Sequence, residues 1–262
     1  MAVVKHAQVQ DVTTIGSETC LVDLQMAEPL GHVGGQYIII DSGLVLPSGK
    51  AAKRAYSLLT PDVEQTRFQL AVKRIPGGLC SGFLHGLEKG APLRFSGPWG
   101  KFRAPNAAGG ASGGRCLLLC TDTGVTAALG LVQSAGFCAA LSQTLFVWLH
   151  TGDFVSERFV RARVPTACRE VRCGSIPPVH HPERLDAVRA CVGDVLRPGV
   201  LTQAFLSGDG LVNAGLGDDL RQLGVVVGNE QVESFFNMPK KSDQRTPAAA
   251  TAGAMASTGS LS

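Results

Sequence analysis

The pattern of apolar residues changes in the middle of the chain, across a segment built almost entirely of small residues. This segment, residues 104–114, reads APNAAGGASGG and has no apolar periodicity, so we interpret it as a linker. Short alternating or β-branched runs precede it, separated by turn signals, at residues 7–15, 19–26, 36–40, 54–59, 68–72 and 92–95. This spacing predicts an antiparallel β-barrel or sandwich, with one short helix over residues 81–87 that Ser81 caps.

Apolar strands alternate with helical stretches in the second half of the chain. Strands are predicted at residues 116–120, 145–149, 167–171, 204–206 and 225–227, and helices over residues 125–140 and 182–196. Such alternation predicts a parallel sheet that is covered on both faces. We therefore expect two domains, over residues 1–103 and 115–241, followed by a disordered tail of Ala, Thr, Ser and Gly over residues 242–262.

The composition excludes several classes of protein. A chain of 262 residues that is 45% hydrophobic and 17% charged can bury an ordinary core, and its net charge of +3 is too small to indicate a nucleic-acid partner. No segment has the length of a membrane span and no secretion signal is recognisable, so we expect a cytoplasmic protein. The eight cysteines are then expected to be reduced, and their spacing does not suit a metal site or an iron–sulfur cluster.

Two short motifs in the first half suit a cofactor that carries both a phosphate and an aromatic ring. Arg54 and Tyr56 lie two residues apart on a predicted strand, so they face the same side of it. A tyrosine ring can lie flat on an aromatic ligand, and the planar guanidinium of an arginine suits a phosphate. Downstream, Gly77 and Gly78 allow close backbone approach to an anion just before the predicted helix of Ser81. The alternative is an ordinary strand followed by an ordinary helix cap.

Three further motifs, read in chain order with these two, resemble the ferredoxin-NADP reductase family. They are Gly35-Gln36-Tyr37, Val72-Lys73-Arg74 and the run GPWGKF over residues 97–102. The resemblance covers residues 5–238, and it implies an antiparallel flavin-binding β-barrel followed by a Rossmann-like parallel-sheet domain that binds NAD(P). It also implies that the flavin contacts Arg54, Tyr56, Ser57, Val72, Lys73, Gly78 and Ser81. The 97–102 run favours FAD, and FMN stays open as the alternative.

The turn after the first strand of the second half is the expected site for the pyrophosphate of NADH or NADPH. The resemblance implies that Thr123, Gly124 and Thr126 meet the nucleotide there, although a plain strand-to-helix turn fits equally well. Two residues depart from the family pattern, because Asp122 stands where Gly is usual and Ala127 where Pro is usual. A carboxylate at this position would repel a pyrophosphate unless it were turned away or paired.

Several other positions bear on the nicotinamide half of the predicted site. Ser207 and Gly208 stand where the family has Cys-Gly-Pro, which predicts a slower hydride step, unless this is simply a strand-end turn. Asp153 would oppose the extra phosphate of NADPH and accept ribose hydroxyls, so it slightly favours NADH. Phe236, or its neighbour Phe235, would cover the second face of the flavin, whereas Glu233 is expected to be an exposed strand-end carboxylate.

These expectations together predict an NAD(P)H-dependent flavoprotein reductase. Tyr56, Ser57 and Ser207 would lie at its catalytic centre, and electrons would pass through FAD to a separate acceptor, a ferredoxin, a flavodoxin or an oxygenase component. A basic rim for an acidic carrier would consist of Lys53, Lys73, Arg74 and Lys101. The alternative is a flavin-binding regulatory or electron-transfer subunit with weak or lost nucleotide turnover, which the departures at Asp122, Ala127 and Ser207 favour.

Overall fold

The computed structural model describes residues 3–104, 114–152 and 154–239 and contains two sheets. The first sheet is antiparallel and barrel-like, with the strand order β4-β3-β6-β1-β2-β5. Its strands are β1 Val4–Thr14, β2 Thr19–Gln25, β3 Tyr37–Val45, β4 Ala51–Ser57, β5 Arg67–Lys73 and β6 Pro92–Trp99. Alternate side chains of these strands form one apolar core that includes Val22, Ile38 and Phe68. Helix α1, Leu79–His85, follows β5.

The second sheet has five parallel strands in the order β11-β10-β7-β8-β9. Its strands are β7 Arg115–Thr121, β8 Thr144–His150, β9 Glu170–Ser175, β10 Leu201–Asp209 and β11 Val232–Phe236. Helices α2 Val125–Val132 and α3 Glu157–Arg161 lie on one face, and α4 Arg184–Val192 and α5 Gly210–Gln222 lie on the other. The predicted fold class, a β-barrel followed by an α/β domain, is confirmed.

The two sheets are joined by close backbone contacts as well as by apolar packing. A Cβ atom built on Gly130 in α2 would lie 2.3 Å from the carbonyl oxygen of Leu58, so only glycine allows α2 to approach the first sheet this closely. The carboxylate of Asp62 accepts a hydrogen bond from the backbone N–H of Ala135 across the junction (2.9 Å). Phe102 packs edge-to-face on Phe205, with ring centroids 6.1 Å apart.

Several predicted element boundaries are wrong. The apolar triplet at residues 225–227 forms only an isolated bridge from Val226 to Gln203, and the terminal strand is β11 instead. The helix predicted over residues 125–140 ends at Val132, because Ser134 adopts an extended conformation and a 3-10 segment, Ala135–Gln143, follows. The other shifts are smaller: the strand predicted at 167–171 is β9, and the helix predicted over 182–196 is α4.

The predicted domain limits, 1–103 and 115–241, stay predictions. Most of the predicted linker at 104–114 and the whole predicted tail at 242–262 lie outside the described residues. Within the described ranges no single helix is both long and apolar enough to cross a membrane. One bent pair, Asp122–Val132 and Ala135–Gln143 with a 105° bend, meets the requirement by length and composition only.

Candidate functional site

A cavity of about 590 Å³ opens where the first sheet meets the carboxyl edge of the second. Strand β4 and the turn between β5 and α1 form one wall, and the start of α2 together with β11 forms the other. Ligands of open α/β sheets bind at this carboxyl edge, so the cavity lies where the fold predicts a site. The predicted residues that line it are Arg54, Tyr56, Ser57, Lys73, Gly78, Ser81, Thr123, Thr126 and Phe236.

Strand β4 supplies an aromatic ring and a cation to the first wall. Tyr56 is half-buried against the first core, and burial raises the pKa of its phenol, so the ring is neutral at physiological pH. The side chain of Arg54 is exposed, and its Nη1 donates to the carbonyl oxygen of Lys53 (2.8 Å). Among the described residues Arg54 has no carboxylate partner within salt-bridge distance. Its guanidinium is therefore available to an anionic ligand in the cavity.

The turn that precedes α1 is held in shape by Ser81. The Oγ atom of Ser81 donates to the carbonyl oxygen of Gly78 and accepts from the backbone N–H of Ile75, both at 3.1 Å. Ser81 is therefore not the cap of the helix, as the sequence predicted: α1 begins at Leu79, and Gly78 is its N-cap. A Cβ atom on Gly78 would lie 2.7 Å from Ser81 Oγ, so a side chain at this position would disrupt the turn.

The second wall combines hydroxyls, aromatic rings and one carboxylate. Thr126 Oγ1 donates to the carbonyl oxygen of Thr123 (2.9 Å). This bond connects the turn at residues 122–124 to the first turn of α2. Phe236 lies on the same wall, at the end of the edge strand β11. Glu233 is half-buried rather than exposed, and burial raises the pKa of its carboxyl. It also contributes to the raised pKa of Tyr37 across the cavity, after burial itself.

Four predicted site residues within the described ranges, Val72, Gly124, Ser207 and Gly208, do not line the cavity. Val72 is fully buried in the core of the first sheet, and only its carbonyl oxygen is engaged, by His85 Nε2 (2.9 Å). Gly124 and Gly208 serve close packing, because added Cβ atoms would lie 2.5 Å from the carbonyl oxygen of Ser207 and 2.4 Å from that of Thr121. Asp153 lies outside the described residues.

The structure places Ser207 differently from its predicted catalytic position. The side chain is fully buried, and Oγ donates to the carbonyl oxygen of Gly124 (3.0 Å). This hydrogen bond satisfies the buried hydroxyl, so the position of Ser207 is explained without a ligand. The buried hydroxyl does not line the cavity, and the catalytic role expected of Ser207 stays a prediction.

Asp122 is paired, which is one of the two conditions under which the sequence did not predict repulsion of a pyrophosphate. Its backbone has a φ of 47°, in the left-handed region, and its carboxylate forms an ion pair with Arg184. Arg184 is nearly fully buried and also binds Asp209 (Nε to Oδ2, 2.8 Å). The turn predicted to bind nucleotide thus contributes Asp122 to a network of two carboxylates around the buried guanidinium of Arg184.

Sequence reasoning missed several residues of the cavity. Tyr37 was used only as part of a motif and Cys80 only for its backbone amide. Phe154 gave no signal, since an isolated phenylalanine is most often a core residue. The network of Arg184 was missed because its members are 25 and 62 residues apart in sequence. Within the described part of the chain, no group of three His, Cys, Asp or Glu residues could hold a metal ion.

The geometry fits FAD. The exposed cation of Arg54 and the side-chain-free turn at Gly77 and Gly78, where Gly77 has a φ of 70°, are suited to a diphosphate. The first-turn amides of α1 lie beside them, and such amides have no acceptor within their own helix. Tyr56 provides a neutral aromatic surface for a flat ring.

Comparisons with known proteins agree with this interpretation. The family model of the oxidoreductase FAD-binding domain matches residues 6–104. The reductase subunit of an aromatic O-demethylase from Amycolatopsis sp. is 36% identical over 131 residues, which are 49% of this chain and 37% of that protein. Ferredoxin–NADP reductase B from Sorangium cellulosum is 39% identical over 107 residues, 38% of this chain and 42% of that protein. The matched parts span less than half the length of either relative.

The fold is also similar to a solved structure. The crystal structure of an Amycolatopsis cytochrome P450 reductase superposes with a TM-score of 0.67 at 23% identity, covering 91% of this chain and 72% of that one. At this identity the similarity shows the shared fold. Residues 6–104 therefore match the model of the oxidoreductase FAD-binding domain, and the resemblance of the chain to the ferredoxin-NADP reductase family is confirmed.

Proposed function

We propose that this chain is an NAD(P)H-dependent flavoprotein reductase that passes electrons through FAD to a separate acceptor protein. The observation that carries the proposal is a cavity that the residues matching the FAD-binding domain share with the carboxyl edge of the parallel sheet. FAD, when bound, supplies the conversion between two-electron and one-electron transfer, and the protein positions it and excludes competing reactions.

Different residues of the cavity would bind the diphosphate, the flavin ring and the reductant. Arg54 and Lys73 would hold the diphosphate. They are the two cations among the described residues that line the cavity, and both belong to the first sheet. Tyr56 and Ser57 would contact the flavin ring, and Phe236 would limit access to it from the side of β11. Thr123 and Thr126 would guide the reductant. Among the described residues, this second wall carries hydroxyls, aromatic rings and the carboxylate of Glu233, but no cation. We propose NADH over NADPH, since the described residues that line this wall include no cation for an extra phosphate.

We propose an acceptor that is a ferredoxin, a flavodoxin or an oxygenase component. The relative from Amycolatopsis sp. is a reductase subunit, which supports electron transfer to another protein. Lys73 and Arg74 are exposed beside the cavity, whereas Lys53 of the predicted basic rim pairs with Asp41 (3.3 Å) and contributes less positive charge. A cytoplasmic location stays a prediction.

Anaerobic titration of the purified chain with NADH and NADPH tests this function. The expected result is a yellow protein whose visible absorbance bleaches on addition of NADH. A yellow protein that neither coenzyme bleaches would identify the flavin-binding subunit without turnover, and a protein that stays colourless after incubation with FAD would contradict both.

Substitution of Arg54 tests the residue assignment. Arg54→Ala should weaken FAD binding by about 10- to 100-fold, because a charge-assisted hydrogen bond is lost. Arg158→Ala, which removes an exposed arginine of α3, is the matched control and should leave FAD binding unchanged. Equal FAD affinity of the two variants, measured by fluorescence titration, would exclude Arg54 as a phosphate ligand.

A further inference from the structure

The carboxylate of Asp122 is held by an unusual set of donors. The backbone N–H and the Oγ1 hydroxyl of Thr151 both donate to Oδ1, at 2.9 and 2.7 Å. Nη2 of Arg184 donates to Oδ2. A guanidinium, a backbone amide and a hydroxyl that converge on one anion are the groups with which proteins bind phosphate.

The donor set lies where a dinucleotide is expected to bind. Asp122 follows β7 and Thr151 follows β8, so both are at the carboxyl edge of the parallel sheet. The strand order reverses between β7 and β10, and this switch point is the usual ligand crevice of such sheets. Thr123, one residue after Asp122, already lines the cavity.

We propose that Thr151 and Arg184 form a phosphate-binding site that Asp122 fills with its own carboxylate. A phosphate of a dinucleotide must then compete with an internal anion, which lowers the affinity of the site without altering the fold of the sheet. That the anion belongs to a dinucleotide rests on the proposed function. That the carboxylate of Asp122 occupies these donors rests on their geometry alone.

Removal of the Asp122 side chain should open the site rather than collapse it. The φ of 47° at this position is favourable for glycine, so Asp122→Gly retains the backbone conformation of the turn. Arg184 keeps its bond to Asp209 and donates through Nη1 to the carbonyl oxygen of Pro177. Asp209 is in turn held by the N–H groups of Leu211 and Val212. The guanidinium therefore stays in place, and only Nη2 is released.

Isothermal titration calorimetry on the purified full chain tests the proposal with two probes that undergo no redox reaction. These are inorganic pyrophosphate and adenosine 2′,5′-bisphosphate, which distinguish a pyrophosphate site from a site for a ribose phosphate. Asp122→Gly should bind one of them about tenfold more tightly than the wild type does. Asp122→Asn, which also suits a left-handed backbone and removes only the charge, should show a smaller gain.

Three variants establish that the gain is local. His180→Gly is the matched backbone control, because His180 is exposed and has a left-handed φ of 72°. Asp218→Asn removes one exposed carboxylate from α5, far from the turn in sequence, and controls for net charge. Neither should change the affinity. In the Asp122→Gly background, Thr151→Val removes the hydroxyl donor and should abolish most of the gain.

The results separate this inference from the proposed function. If Asp122→Gly and Asp122→Asn bind both anions as weakly as the wild type, or if Asp218→Asn produces the same gain, the masked site is refuted. Calorimetry with these probes does not require flavin reduction. A chain that neither NADH nor NADPH can bleach, but in which Asp122→Gly gains anion affinity, would therefore contradict the reductase and support the masked site.

Discussion

Gly130 allows a direct test of how the two sheets are joined. A methyl group on this residue would place Cβ 2.3 Å from the carbonyl oxygen of Leu58 and 3.2 Å from the backbone nitrogen of Gly35. Non-bonded carbon and oxygen atoms normally stay at least about 3.3 Å apart, so the overlap is roughly 1 Å. The partner is backbone, which cannot move aside by changing a rotamer.

The expected cost follows from two opposing terms. Overpacking costs about 1–3 kcal/mol, and we take the upper end because the obstacle is main chain. Alanine is favoured over glycine inside a helix by about 1 kcal/mol, which offsets part of that cost. Gly130→Ala should therefore lose about 2 kcal/mol, which lowers the melting temperature by about 4–8 °C for a protein of this size.

Gly82→Ala is the matched control. Gly82 also lies inside a helix, α1, and nothing lies within 4 Å of its added Cβ. This variant should gain about 0.5–1 kcal/mol. Scanning calorimetry of both variants measures the difference, and stopped-flow reduction by NADH should slow only in Gly130→Ala, because Thr126 on the same helix lines the cavity. A Gly130→Ala protein as stable as Gly82→Ala would refute the close backbone contact.

Two other predictions follow from the cavity and its surroundings. Burial raises the pKa of Glu233, so the stability that this group contributes is complete in acid and is lost as the pH rises through the raised pKa. Glu233→Gln should therefore have the same melting temperature as the wild type at acidic pH and a higher one at neutral pH. A difference in melting temperature that does not change with pH would contradict the effect of burial. Ser207→Ala removes the hydrogen bond to Gly124 and should cost about 1 kcal/mol in urea unfolding, with the rate of flavin reduction unchanged. A large fall in that rate at unchanged stability would restore a catalytic role for Ser207.

The local pattern of the sequence was sufficient to predict the fold class and the first wall of the site. The β-branched and aromatic runs of the first half do form antiparallel strands, and the fully apolar run at residues 116–120 is the central strand β7. Arg54 and Tyr56 both reach the cavity, as their spacing on one strand predicts. The signal is strong here because each inference depends on residues that are neighbours in sequence.

Long-range contacts account for what could not be predicted. The pairing of Asp122 with Arg184 depends on the position of α4 against the sheet edge, for which no local pattern exists. The direction of the Ser207 hydroxyl depends on the close approach of Gly124 to β10. The triplet at 225–227 is more apolar than β11, but only β11 continues the ladder beside β10. Apolar content alone does not reveal which of two segments finds a partner strand.

The cavity belongs to neither sheet alone, because Tyr56 stands on one and Phe236 on the other. Any tilt of the barrel relative to the parallel sheet must change the distance between these two rings. A chromophore bound between the two rings would then change its visible absorption spectrum when the tilt changes. Docking of another protein on either half could thus be followed optically without attaching a label.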